Sequence, residues 1–282
     1  MQRQTLLCLA LLGWGSALSP VAPISPVLML TPSSDSAMLL GGVQDHQWRG
    51  AKALAPKRLG DKTYRALNLA GFSRRVVLGA APKPDEPCPD TTFLPVKSGG
   101  EPKEFEVLTT AQYNLQPRPV VPLPNSSPVY REIVRSELQR RGLSQGNINI
   151  TRLLKADLDG NGTTEIIIEA NWFKDLSGGL FPPPVGNPNE YSLLLLRSVQ
   201  AGKAMTTVLG EHLAPKTPWN PDSSVPMPMA NLYKVAGLAD LNGDGRMEIV
   251  RYDAYYEGAG FSVLEWTPAG GAKVRLDAGC GV

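Results

Sequence analysis

Two nine-residue segments carry the side chains of this chain best suited to chemistry: Asp157-Leu-Asp-Gly-Asn-Gly-Thr-Thr-Glu165 and Asp240-Leu-Asn-Gly-Asp-Gly-Arg-Met-Glu248. They match position by position. Oxygen-bearing side chains occupy positions 1, 3, 5 and 9, and glycines occupy 4 and 6. A hard cation such as Ca²⁺ takes about 6–8 oxygen ligands, from carboxylates, side-chain amides, backbone carbonyls and water. Asp157, Asp159, Asn161 and Glu165 supply that set in the first loop, with the backbone carbonyl of Thr163 at position 7. Asp240, Asn242, Asp244 and Glu248 supply it in the second, with the carbonyl of Arg246. An Arg side chain is no ligand, but its backbone oxygen is unaffected. Gly162 and Gly245 stand at position 6, where a tight metal loop needs a turn that glycine makes without strain. The expectation is two Ca²⁺, one per loop.

The helical EF-hand also uses Asp/Asn/Gly loops, but it closes with a bidentate Glu at position 12. Here position 12 is Ile168 or Arg251. The flanking Ile166-Ile-Ile168 and Ile249-Val250 are β-formers, so each loop is expected to feed a strand. Asp-Gly and Asn-Gly pairs also build plain hairpin turns; two copies matched at every ligand position favour the metal reading over that one.

With these loops the chain resembles the FG-GAP/VCBS-type repeats of integrin-α-like β-propellers and secreted bacterial proteins. The resemblance covers about Ile148–Glu169 and Leu232–Trp266. It implies a mainly β fold of two calcium-loop β repeats. No Phe-Gly pair or Gly-Ala-Pro stands in the expected place, and Gly258-Ala-Gly-Phe261 only approximates one. The loops lie 83 residues apart. A propeller takes about 4–8 blades of roughly 40–45 residues each, so the chain is too short there to close one.

The elements that must position the loops follow from pattern. The chain has 282 residues, 26 of them proline and 28 glycine, and a net charge of +2. That suits a loop-rich β protein of one or two domains without a strongly charged partner. Residues 1–19 read as an export signal: Arg3, then the apolar Leu6–Gly13, with cleavage near Ala17 or Ser19 and Cys8 discarded. The expected location is therefore secreted or periplasmic, with no membrane span in the mature chain. Residues 20–37, with four prolines, read as a disordered N-terminus. Residues 38–115 read as a small β-rich region, and 116–126 as a proline-rich connector on the surface. Residues 127–282 read as a helix plus the two repeats. For that helix Ser127 is the N-cap, Pro128 fits N1, Tyr130, Ile133, Val134 and Leu138 form the apolar stripe, and Gly142 ends it. Eight expected strands follow, with hairpin turns at Gln200–Lys203 and Pro268–Gly271.

Signal removal leaves Cys88 and Cys280. An exported compartment permits a disulfide, and two cysteines allow only one intramolecular pairing. Eight Lys/Arg fall within residues 49–75; aromatics do not interleave with them, which disfavours nucleic acid.

No nucleophile elbow, His-Glu-x-x-His or P-loop is present, and His46 and His212 are read as structural. A glycosidase needs only two carboxylates. Asp253, Glu257 and Glu265 beside Tyr252, Tyr255, Tyr256 and Trp266 are candidates, and Trp172, Tyr255 and Tyr256 are candidates for a sugar-stacking surface. In a β repeat such residues are more often packing and rim. The reading is an exported calcium-binding structural or interaction protein without its own catalysis, its partner left open between a cell-surface protein and a polysaccharide. The alternative is an extracellular carbohydrate-active enzyme or sugar-binding module.

Overall fold

The computed structural model describes residues 22–82, 87–144, 146–176 and 179–282. The expected signal segment, with Cys8, lies outside them. The protein is mainly β, with one α-helix among the described residues, and its sheets do not form a closed propeller.

The first seven strands are β1 (Ser25–Leu30), β2 (Ser36–Gln44), β3 (Gln47–Gly50), β4 (Lys62–Asn68), β5 (Gly71–Leu78), β6 (Phe93–Ser98) and β7 (Glu106–Thr109). Six of them pair in a ring, β1-β7-β4-β5-β6-β2, which closes because β2 also pairs with β1. The result is a small antiparallel barrel, with β3 hung on the end of β2. Alternate residues fill its interior: Leu28 and Leu30, Ala37 and Leu39, Tyr64 and Ala66, Val76 and Leu78, Leu94 and Leu108. Their neighbours Val27, Met29, Met38, Leu40 and Val107 face outward yet are equally buried, against the third sheet. This corrects the expectation for residues 20–37. That segment is not disordered throughout, because Ser25–Leu30 is a barrel strand with every residue after Ser25 buried. Pro26 lies close to the start of that strand, before its pairing with β7 begins at Val27, near the strand end where proline is tolerated.

The chain then runs through β8 (Val121–Pro122) and α1 (Pro128–Arg140) into two meanders of four strands. The first is β9 (Ile150–Ala156), β10 (Glu165–Trp172), β11 (Tyr191–Gln200) and β12 (Lys203–Leu213), with β8 added beyond β9. The second is β13 (Leu232–Ala239), β14 (Glu248–Tyr255), β15 (Gly258–Thr267) and β16 (Gly271–Gly281). Each acidic loop joins the first and second strand of its meander. The Gln200–Lys203 and Thr267–Gly271 turns close the last hairpins, as the sequence suggests.

The second meander lies in the middle. One of its faces, with Ala236, Val250, Tyr252, Phe261 and Val263, packs on the barrel. The other, with Val235, Leu238, Ile249, Leu264 and Trp266, packs on the first meander through Leu154, Ile167, Leu194 and Leu196. The far face of the first meander, with Leu153, Ile168, Leu193 and Leu195, takes Val134 and Leu138 of α1. The first meander is thus covered on both sides, which explains the unbroken run Leu193–Leu196, all fully buried.

The helix ends as its sequence implies. Gly142 adopts φ +82°, and the N–H groups of Gly142 and Leu143 bond back to the carbonyls of Gln139 and Leu138 at 2.9 Å. Ser127 occupies the N-cap position but makes no side-chain capping bond. Among the described residues no helix is long and apolar enough to cross a membrane.

Two devices fasten the layers. Cys88, between β5 and β6, forms a disulfide with Cys280 of β16, so the barrel is tied covalently to the second meander. The bridge spans 192 residues, and a closed loop of that size is worth about 5 kcal/mol in the chain-entropy picture. On the opposite edge, the free N–H groups of β13 are capped by side chains of the first meander. Tyr233 N–H donates to Ser192 Oγ at 2.9 Å, and Val235 N–H to Glu169 at 3.0 Å.

Candidate metal centre

The two acidic loops are built by the same set of hydrogen bonds. At position 1, Asp157 accepts from the N–H groups of Gly160 and Gly162 at 2.8 and 3.0 Å. Asp240 accepts from Gly243 and Gly245 at 2.7 and 2.9 Å. At position 3, Asp159 accepts from Asn161 N–H, and Asn242 from Asp244 N–H. At position 5, Asn161 accepts from Thr163 N–H at 2.6 Å, and Asp244 from Arg246 N–H at 2.8 Å. At position 9, Glu165 reaches back to Leu158 N–H at 2.9 Å, and Glu248 to Leu241 N–H at 2.7 Å. The glycines at positions 4 and 6 take φ of +78° and +84° in the first loop and +77° and +85° in the second. No residue with a Cβ takes such φ values freely, which explains the Gly-x-Gly spacing.

These bonds occupy both oxygens of the position-1 aspartates but only one side-chain oxygen at each of positions 3, 5 and 9, and leave lone pairs free. In the first loop, Asp157, Asp159 and Glu165 bring an oxygen each within 4.8 Å of one another. Among the described residues the three carboxylates of the second loop form no such group. Its position 3 is Asn242, and its third acid, Asp244, caps the Arg246 N–H from position 5. In both loops the structure brings positions 1, 3, 5 and 9 into one turn, but only the first concentrates three carboxylates at its centre.

Burial separates the loops. Asp240, Asn242 and Glu248 are 4 %, 5 % and 1 % exposed, whereas Gly160–Thr164 lies open to solvent. The second loop is roofed by the barrel end: His46 Nδ1 lies 2.8 Å from the Asn242 carbonyl, and Tyr113 Oη donates to the Leu241 carbonyl. Burial drives the Glu248 carboxyl well above the usual carboxylate range, and the charges of Asp244 and Asp240 push it further. The Glu165 carboxyl is pushed up to about 7, again first by burial and then by Asp159 and Asp157. Asp240 is raised by burial against the opposing pull of the Gly243 and Gly245 N–H groups. Tyr113 is raised by burial and by the three acids of the second loop.

One atom of the second loop stands out. Glu248 Oε1 is buried without any hydrogen-bond partner. An unpaired carboxylate oxygen in the interior costs several kcal/mol, which is why such groups are paired, neutralised or metal-bound. The side chains at positions 1, 3, 5 and 9 of its loop, Asp240, Asn242, Asp244 and Glu248, all carry an oxygen acceptor, the ligand type a hard cation takes.

Arg118, Tyr113, His46 and Leu115 touch the loops but carry no sequence signal. Arg118 sits in the proline-rich connector, which is not a passive spacer: β8 within it pairs with β9, and Arg118 reaches both loops. The glycosidase candidates are dispersed. Tyr252 and Trp266 are buried on opposite faces of the second meander. Asp253 lies beside Arg251, and Glu265 accepts from Arg275 and Trp48. Tyr255 lies over Gly258 and Gly281 and donates to the Val282 carbonyl. In the basic 49–75 stretch, Arg74 pairs with Glu106 and Arg65 caps the carbonyls of Ala111 and Tyr113, while the other six face solvent.

Comparison of the chain with protein families, curated proteins and solved structures finds no match in any of the three.

Proposed function

We propose that this is an exported calcium-binding protein of FG-GAP/VCBS type, whose two loops each hold one Ca²⁺ as a structural ion. The observation that carries this reading is the orphaned, buried Oε1 of Glu248, at the position where the sequence pattern calls for the closing ligand. The five matched hydrogen bonds of each loop support extending it to Glu165. The ligands are Asp157, Asp159, Asn161, the Thr163 carbonyl and Glu165 in the first loop. In the second they are Asp240, Asn242, Asp244, the Arg246 carbonyl and Glu248. A bound cation neutralises the buried carboxylates and holds each pair of strands at its turn, so binding adds directly to folding stability. The Cys88–Cys280 bridge suits an oxidising compartment and supports the export reading. The interaction partner, a cell-surface protein or a polysaccharide, meets an assembly whose shape the ions maintain.

Calorimetric titration of chelator-stripped protein tests this. The expected stoichiometry is near two Ca²⁺ per chain, with Mg²⁺ weaker because it demands a tight octahedron and gives up its water reluctantly. Absence of both heat and thermal shift at millimolar calcium overturns the reading.

A further inference from the structure

The two loops are distant in sequence and joined in space. The Met247 N–H, next to Glu248, donates to the Leu158 carbonyl at 2.8 Å. The Leu158 N–H is in turn held by Glu165 at 2.9 Å. A chain of hydrogen bonds and covalent neighbours therefore runs from the position-9 carboxylate of one loop to that of the other. Leu158 and Met247 are both buried in the core between the meanders, so neither can exchange this bond for water. Arg118 adds a second link. Its Nη2 donates to the Leu158 carbonyl at 2.9 Å and to the Gly245 carbonyl at 2.7 Å, while its Nε donates to the Asp157 carbonyl. The same segment anchors the second loop once more, since the Leu115 carbonyl accepts the Asp240 N–H at 2.7 Å.

We propose that the two loops form one coupled unit, with Arg118 as the positioning residue that holds them in register, so that filling either site raises the affinity of the other. This rests on the calcium reading above. A metal-free loop carries three carboxylates that repel one another, and as it loosens it withdraws a carbonyl from Arg118 or from Met247. The first ion orders these shared contacts, and the second ion binds a loop whose ordering has already been met. A guanidinium is a rigid planar fork that can fix the spacing of several acceptors at once; an ammonium keeps the charge but not the geometry. Repulsion between two divalent ions acts against the coupling, damped by the acids of each loop.

The test is calcium titration of the full chain and of single-loop variants, with a far-ultraviolet spectrum and a melting curve to establish that each is folded. Silencing the first loop with Asp159→Ala, which leaves no side-chain oxygen at that position, should weaken calcium at the second by about fivefold or more, and Asp244→Ala should weaken the first by the same factor, since linkage is reciprocal. In an Arg118→Lys background both loops should still bind, and both cross-effects should fall below about twofold. Unchanged affinity at each loop when the other is silenced overturns the coupling. Cross-effects that persist undiminished in Arg118→Lys overturn the role of Arg118. If Arg118→Lys does not fold, the reciprocal cross-effects in Asp159→Ala and Asp244→Ala decide the coupling alone. If the unmodified chain binds no calcium at either loop, the calcium reading fails and the coupling falls with it; calcium at both loops without cross-effects sinks only the coupling.

Discussion

The loop at Asp157–Glu165 and the loop at Asp240–Glu248 share the five hydrogen bonds from backbone N–H to side chain that build their turn, yet they sit in different surroundings. The first lies open on the rim of its sheet, and water can reach most of its backbone. The second is pressed under the barrel, with His46 and Tyr113 over it and the orphaned Glu248 oxygen beneath. The local code fixes the shape of the turn, while tertiary burial sets how much a bound cation is worth. The half-buried Asp157 and Asp159 can be solvated when an ion leaves, whereas the buried Asp240 and Glu248, like Glu165 alone in the first loop, must take a proton or force the loop open. The second loop should therefore hold its ion as part of the fold, and the first should hold it as an adjustable ligand.

The largest expected effect follows from removing the position-1 acid. Asp240→Ala should lower the melting temperature in calcium far more than Asp157→Ala. A ligand at 100 times its Kd contributes about 2.7 kcal/mol, which for a chain of this size corresponds to roughly 5–10 °C. At the second loop the loss is greater, because the Gly243 and Gly245 N–H groups left without their acceptor are less open to water than those of Gly160 and Gly162, and a donor left unpaired in the interior costs up to about 1–3 kcal/mol. Equal shifts in parallel melting curves would break the comparison.

A pH series sharpens it at the next level. The Glu165 carboxyl, pushed up to about 7, favours its neutral form in the metal-free fold. The stability this provides is fully present below the ordinary carboxylate range and is lost as pH rises through about 7. Burial moves Glu248 in the same direction. Chelator-stripped protein should thus melt lower at pH 8 than at pH 5, and the rise in melting temperature on adding calcium should be larger at pH 8. A calcium shift that is the same at both pH values contradicts protonation of these carboxylates as the alternative to the metal.

The smallest effect belongs to position 7. Thr163→Ala and Arg246→Ala leave the backbone carbonyl in place, so calcium affinity at each loop should change by less than about twofold and stability by under about 0.5 kcal/mol. Loss of a site in either variant, read by titration, would mean that the side chain takes part.

Much of this was legible in the sequence where the signals are local. Both loops, the eight strands of the meanders, the hairpin turns and the helix from Pro128 to the Gly142 stop could all be read from residue type and spacing. The barrel was not. Val27-Leu-Met-Leu30 shows no alternation because one face fills the barrel and the other packs on the second meander, so each residue is apolar for a different reason. Flanked by Pro23, Pro26 and Pro32, it reads as an unstructured end. The wiring between the loops was equally hidden. Arg118 has no local pattern that marks it, and the donors to Leu158 and the roof over Asn242 come from segments distant in sequence. Contacts that tune a site across layers leave no periodic trace.

The most direct measurement is anomalous scattering from crystals of the whole chain grown in millimolar calcium. The account predicts two peaks, one in each loop, each with carboxylate oxygens at about 2.3–2.6 Å and with Glu248 Oε1 among the ligands of the second. A map with no calcium at Glu248, and that oxygen paired instead to water or to a protein donor, would contradict it.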